Sequence, residues 1–268
     1  MDIIKEIVET PALLKEIYQD LAKPGVKQAG KALSAVIGLG NTVLWPVVLL
    51  NEKARISLEK NLDKFREKME KVPNEDVCEV SPEIGVPIAE KLAYVTNKEL
   101  SDMYTELLAK ASQKSKANVA HPGFVNAINN MSPDEAVLLR SIKRESSIPF
   151  IEVRLQEKGK NEWRTINPIK LENHILTNLN YSEDIHAYIS NLNSLGFFEI
   201  QRHVFIASDD IYEPLEEDVK KLYSRKEISQ FLEERFKDQE VIPEVTFKRG
   251  KIEVTQFAKL FMKACFES

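Results

Sequence analysis

Histidine and carboxylate side chains carry most proton-transfer and metal chemistry near neutral pH, so they come first. The four histidines, His121, His174, His186 and His203, are scattered along 268 residues. None belongs to an HExxH pair or lies at ligand spacing from a cysteine. His174 has Glu172 two residues before it, and His186 has Asp184 two residues before it. If the helices bearing them pack together, these four groups would form a metal site or a general base. Gly25 to Ala32 reads GVKQAGKA, close to a phosphate-binding P-loop. Ala32 stands where that loop needs a magnesium-binding Ser or Thr, and the preceding LLKEIYQDLAKP reads as helix, not strand. Gly38 and Gly40 lack a surrounding βαβ unit, and no nucleophile elbow or paired-acid motif stands out. Cys78 and Cys265 are too far apart in sequence to form a CxxC knuckle, and two cysteines do not make a disulfide framework. The expectation is a protein that is not an enzyme, with no catalytic residue, no metal ligand and no cofactor.

The chain as a whole narrows the partners. A net charge of −5 and a pI near 5.6 argue against coating nucleic acid, which draws on clustered Lys and Arg. The first residues, MDIIKEIVETPALLKEIYQDL, are amphipathic and mixed in charge, unlike a signal peptide. The expected setting is the cytoplasm, peripheral to the inner membrane when engaged there.

One stretch departs from the rest. Residues 32–51, ALSAVIGLGNTVLWPVVLLN, carry no charge in a chain that is 29% Asp, Glu, Lys and Arg. As a helix it would span about 30 Å, the thickness of a bilayer core. Gly38, Gly40, Asn41, Thr42 and Pro46 interrupt it, and its strongly apolar part is only about eight residues, VLWPVVLL. Lysines flank both ends, so no orientation follows from the positive-inside rule. The stretch reads as a bent core segment with membrane entry as a second state. Its candidate membrane-active or latent residues are Val36, Ile37, Leu39, Val43, Leu44, Trp45, Val47, Val48, Leu49 and Leu50.

The elements that must position these residues divide near the middle. Thr10 and Pro11 read as a helix start, and Leu58, Leu62, Phe65 and Met69 form the dry stripe of a helix. Val72 to Pro87 reads as a break, after which helical spacing resumes and Asn97 can cap a second helix. Glu106 and Lys110 read as a surface ion pair one helical turn apart. Ser132, Pro133 and Glu135 form a capping box. From residue 149 the pattern becomes mixed. A hairpin over PFIEVRLQEKGKNEWRTI is followed by helices over Pro168–Leu179 and Ser182–Leu195, and by one or two short strands in FFEIQRHVFIAS. A charged helix over Pro214–Phe236, a pair of strands turning at Arg249-Gly250 and a closing helix from Thr255 to Phe266 complete the chain. Leu195-Gly196 ends a helix where a strand begins at once, as in a winged helix-turn-helix. From Leu171 to Gln201 there is no Lys or Arg, so this element lacks the cations that DNA phosphates require. The predicted fold is mainly α with a smaller α+β part. A helical bundle over residues 1–130 shelters the apolar segment and precedes a winged-helix-like α+β domain over 131–268.

Several of these pieces together resemble the Abi-alpha family, bacterial proteins associated with abortive infection. They are Pro82 and Pro87, the helix from Leu100 to Ala111, the run from His121 to Ala136, and the closing Thr255 to Cys265. These are core and capping residues, so the resemblance implies a fold and a phage-defence role and carries over no catalytic residue. The function expected is a non-enzymatic antiphage effector or accessory protein acting through conditional membrane engagement of residues 32–51. The alternative is a soluble winged-helix regulator or scaffold. The expected partner is a protein or a phage-derived trigger, with a membrane as a second contact and nucleic acid not expected.

Overall fold

The computed structural model describes residues 27–40, 51–156, 161–224, 234 and 244–266, with backbone alone for 37–40. Ten α-helices and a four-stranded antiparallel sheet lie among the described residues, so the fold is mainly α with some β. The contacts divide into two compact units. One takes the described residues up to Ala136 and from Leu260 onward, and the other takes Val137–Lys259. The Thr10-Pro11 helix start and the Pro46 interruption lie outside the described residues.

The first unit is helical: α1 Lys27–Gly40, α2 Glu52–Met69, α3 Pro82–Leu92, α4 Lys98–Ala111 and α5 Pro122–Asn129, with the start of α6 Pro133–Ser141. The predicted stripe on α2 is buried at Leu58, Leu62, Phe65 and Met69. Asn51 starts this helix by accepting from the backbone N–H of Lys53 and Ala54. Asn97 caps α4 through Leu100 N at 3.2 Å, as its position implied. The capping box of α6 is reciprocal: Ser132 N donates to Glu135 Oε2 at 2.5 Å, and Glu135 N donates to Ser132 Oγ at 3.2 Å. His121 is itself a cap, its Nδ1 accepting from Gly123 N at 3.0 Å at the start of α5. The expected break is shorter than Val72–Pro87, because α3 begins at Pro82 and keeps Pro87 inside it. Pro82 suits the first turn, and Pro87 removes only the donor for the carbonyl of exposed Glu83.

The second unit is built on strands β1 Ser147–Gln156, β2 Trp163–Lys170, β3 Phe198–Gln201 and β4 Glu244–Val254, in the order β2-β1-β4-β3. The predicted hairpin is the β1–β2 pair, with Gln156 opposite Trp163. The helix expected over Pro168–Leu179 is largely replaced. The strand runs on to Lys170, and only α7, Asn173–Leu176, is helical. Ile169 and Leu171 are buried, and strand pairing with β1 wins over the helical spacing. Helix α8 covers Ile185–Ser194, after a 3-10 turn at Ser182–Asp184. It stops where predicted. Gly196 adopts φ +78°, Phe197 N donates to Leu192 O at 2.9 Å, and Gly196 N donates to Asn193 O at 3.0 Å. These are the two bonds of a Schellman motif. Helix α9, Glu213–Tyr223, lays Leu215 and Val219 on Ile151 and Val153 of the sheet.

The turn expected at Arg249-Gly250 does not exist. β4 is continuous through both residues and pairs with β1 along its whole length, Gly250 facing Phe150. A Cβ on Gly250 would lie 2.7 Å from Phe150 Cε1. The glycine therefore makes room for a ring, not for a reversal of the chain. The last helix, α10, covers Gln256–Cys265.

Candidate functional site

The uncharged stretch begins inside α1. Ala29, Ala32, Leu33 and Val36 are buried, so the first part of the stretch, including candidate Val36, lies in the core of the first unit. Ile37 and Leu39 are helical, while Val43, Leu44, Trp45, Val47, Val48, Leu49 and Leu50 lie outside the described residues. The small Ala side chains let the helix sit close to its neighbours, and Gly85 on α3 completes the fit. A Cβ there would overlap Val36 Cγ2 and lie 2.7 Å from Val80 Cγ1. Polar contacts fix the position: Val80 N donates to Ala32 O at 3.0 Å, Lys31 Nζ to Val77 O at 3.2 Å, and Ser34 Oγ to Glu79 Oε1 at 2.7 Å. The helix is thus seated in a notch by side chains of modest size. Among the described residues no helix is long and apolar enough to cross a membrane.

Glu106 and Lys110 are not the surface pair their spacing suggested. Both are buried on α4, whose residues from Met103 to Ala111 are all out of water. Lys110 Nζ uses its three donors on Glu106 Oε1 at 2.9 Å, Lys263 O at 2.7 Å and Phe266 O at 2.8 Å. Glu106 Oε2 accepts from Lys68 Nζ at 2.9 Å. The two carbonyls belong to the end of α10, where helical C=O groups lack internal partners and the dipole is negative. Lys110 thereby ties the end of the chain into the first unit, beside Phe261 packed edge-on to Phe124. Residue spacing revealed the pair, but its burial depends on a helix about 150 residues away in sequence. Cys265 is fully buried there, and burial pushes its thiol well above the ordinary range. It is suited to packing, not to nucleophilic attack.

The His and carboxylate groups around His174 and His186 do not gather into a metal site among the described residues. Glu172 Oε2 and His174 Nδ1 pair at 2.9 Å on an exposed surface. Asp184 is exposed, and no three His, Cys, Asp or Glu residues gather to hold a metal among the described residues. His186 Nδ1 is buried without a hydrogen-bond partner, and burial, with the charge of Arg202, holds its pKa below the ordinary histidine range. A different carboxylate is enclosed. Glu152, buried in β1, accepts from Arg154 Nε and Thr165 Oγ1, both at 2.8 Å, with Arg202 Nη1 at 3.7 Å. Burial would raise this carboxyl, but the bonds from Arg154 and Thr165 and the nearby charges outweigh it and hold the pKa below the usual glutamate range. With Oε1 bonded to Arg154 and Thr165 and Oε2 facing the charge of Arg202, Glu152 links β1, β2 and the segment after β3.

Comparison with known proteins adds three findings. A solved structure of an uncharacterized protein from the hydrocarbon-degrading marine bacterium Alcanivorax borkumensis SK2 aligns with a TM-score of 0.29 at 11% identity, over 56% of this chain and 94% of that one. No curated protein matches the sequence. The family model described as abortive infection alpha matches residues 57–265, beginning inside α2 and running through α10, and the chain belongs to that family.

Proposed function

We propose that the protein is a non-enzymatic effector or accessory factor of abortive infection, acting by conditional release of residues 32–51 toward a membrane. Family membership carries the role in phage defence. The mechanistic step is a proposal, and the seating of α1 is the observation that supports it. An uncharged stretch starts in a helix held by Ala29, Ala32, Leu33 and Val36 over a glycine notch. Burying Leu33 and Val36 is worth about 1.5–3 kcal/mol each, and the alanines less. Moving such an equilibrium from almost all docked to almost all released takes roughly 5.5 kcal/mol of differential binding. A protein partner or phage-derived trigger on α1 or α3 is a sufficient source. The family match begins at residue 57, after the stretch, so the release step is a property of this chain's N-terminal part.

The test reads membrane fractionation in infected cells and dye leakage from liposomes with the full chain, before and after triggering. The expected result is a shift to the membrane fraction with leakage. Death of infected cells with the protein still in the supernatant would remove the membrane step.

A second reading has its own observation. Leaving out β2 and the helix α9 inserted between β3 and β4, the second unit runs helix α6, strand β1, helices α7 and α8, strand β3, then β4, with β4 between β1 and β3. Together with the Schellman turn at Gly196, that order supports a winged-helix-like module serving as a protein-binding regulator or scaffold. The absence of Lys and Arg from Leu171 to Gln201 favours a protein ligand over DNA. A salt-dependent mobility shift with duplex DNA would overturn that preference.

A further inference from the structure

A groove of about 580 Å³ runs along α2 in the first unit, closed by the turn between α3 and α4. Lys53, Lys60, Lys64 and Lys98 line it, with no aspartate or glutamate among the described lining residues, in a chain whose acids outnumber its bases 42 to 37. The lysines of α2 share one face because they recur with Ile56 at helical spacing. Below them the polar groups are already satisfied. Asn61 Nδ2 donates to Leu92 O at 2.8 Å, Ser101 Oγ to Asn61 Oδ1 at 2.6 Å, and Lys64 Nζ to Asp102 Oδ1 at 2.7 Å. That network fixes the floor and engages Lys64. Lys53, Lys60 and Lys98 make no ion pair with a carboxylate among the described residues.

We infer that this groove seats the phosphate headgroup of an anionic phospholipid, holding the first unit on a membrane surface. Charge complementarity sets the sign of the ligand: ammonium groups that meet no carboxylate among the described residues, over an internally bonded floor, attract a phosphate. The rest of the lining sets the class. Ile56 is 54% exposed beside the lysines, Val95 lies opposite, and the lysine stems are methylene. An apolar side chain flanked by flexible cations is the pattern of a membrane-interface helix. Among the described residues no aromatic ring lines the groove to stack a nucleobase, which favours a lipid over a nucleotide. Position agrees, because the uncharged stretch ends at Asn51 and Lys53 is the first lysine after it. The inference rests on the membrane reading for the surface involved, but not on insertion of residues 32–51.

The experiment sediments the full chain with vesicles of phosphatidylcholine alone, or with a third of the lipid replaced by phosphatidylglycerol. Dye leakage is read on the same samples. Binding is expected only to the anionic vesicles and is lost at high salt. The combined Lys53→Gln, Lys60→Gln and Lys98→Gln variant leaves Lys64 and its bonds intact, and glutamine keeps the helical preference. It is expected to bind anionic vesicles about a hundredfold more weakly, with unchanged circular dichroism and melting. Equal binding by variant and parent, equal binding to both vesicle types, or saturation of the groove by inorganic phosphate or a nucleotide at micromolar concentration would each overturn it. Lysine-dependent binding without leakage keeps the groove and removes the insertion of 32–51. Leakage that ignores the lysines removes the groove and leaves insertion standing.

Discussion

Each compact unit contains a glycine filled by a neighbour's side chain and a glutamate taken out of water, and the two units use them differently. In the second unit Gly250 receives the ring of Phe150 across a β-ladder, and Glu152 joins neighbouring strands through Arg154, Thr165 and Arg202. Both devices lie in one sheet and the segment that follows β3. In the first unit Gly85 receives Val36 from α1, and Glu106 with Lys110 receives the end of α10. Both of these fix a helix of the first unit to its neighbours. The contrast separates a sheet braced within itself from a unit in which α1 and α10 are fastened by a few specific groups, which is the arrangement that release of α1 would require.

The strongest fastening should be Lys110. Lys110→Met leaves the Lys263 and Phe266 carbonyls and one Glu106 oxygen without their donor, at an expected cost of about 3–5 kcal/mol. Urea unfolding followed by circular dichroism measures it. Adding Glu106→Leu should recover part of the loss, because an apolar pair needs no counter-charge. A loss below about 1 kcal/mol, the range of exposed pairs, would return the pair to the surface role its spacing suggested.

The corresponding carboxylate of the sheet gives a pH signature. Glu152 has its folded pKa below the ordinary value, so its contribution is present above about pH 4.3 and is lost as pH falls through the folded value. Glu152→Gln should cost about 1.5–3 kcal/mol at neutral pH and flatten the loss of stability below pH 4.3. His186 is also lowered, so its contribution is full above about pH 6.5 and fades below it. His186→Gln should flatten the region just under pH 6.5 and leave the acid limb in place. Melting temperature against pH separates the two, and an unchanged profile in both variants would show that neither group is held as described.

What could be read from the chain in advance follows the range of the interaction. Asn97, Ser132, Glu135 and Gly196 act on backbone groups within a few residues, and their caps and turn are where the spacing put them. The stripe of α2 was equally legible, because 3.6-residue periodicity is local. Long-range pairing is what misled. Arg249-Gly250 looks like a hairpin turn in isolation, yet β1 supplies a partner for each residue of β4 from Glu244 to Glu253 and a ring for the glycine. Pro168 to Lys170 joins β2 for the same reason. At the candidate sites, Val36 was named for its apolar surroundings, but its seat at Gly85 lies 49 positions away and no local pattern announces it. The lysines of α2 could be seen one by one. Their convergence with Lys98 depends on how α3 and α4 fold back on α2.

The two glycines then provide the sharpest comparison. Gly250→Ala forces a methyl against Phe150 within a fully paired strand, and overpacking there should cost about 2 kcal/mol of cooperative stability. Gly85→Ala places the same methyl against Val36 and Val80. If α1 is a fastened outer helix, the bundle answers by shifting α1, and the global cost stays near 1 kcal/mol. The change should appear instead as faster amide exchange along residues 27–36 and as greater dye leakage from anionic vesicles. Val36→Ala in the same chain makes room for the new methyl and should return both readouts toward the parent, a coupling the double-mutant cycle measures directly. Gly250→Ala should affect neither exchange in α1 nor leakage. Cooperative loss of the whole first unit in Gly85→Ala, with α1 exchanging no faster than α2 to α4, would make α1 an ordinary core helix and remove the basis for its release.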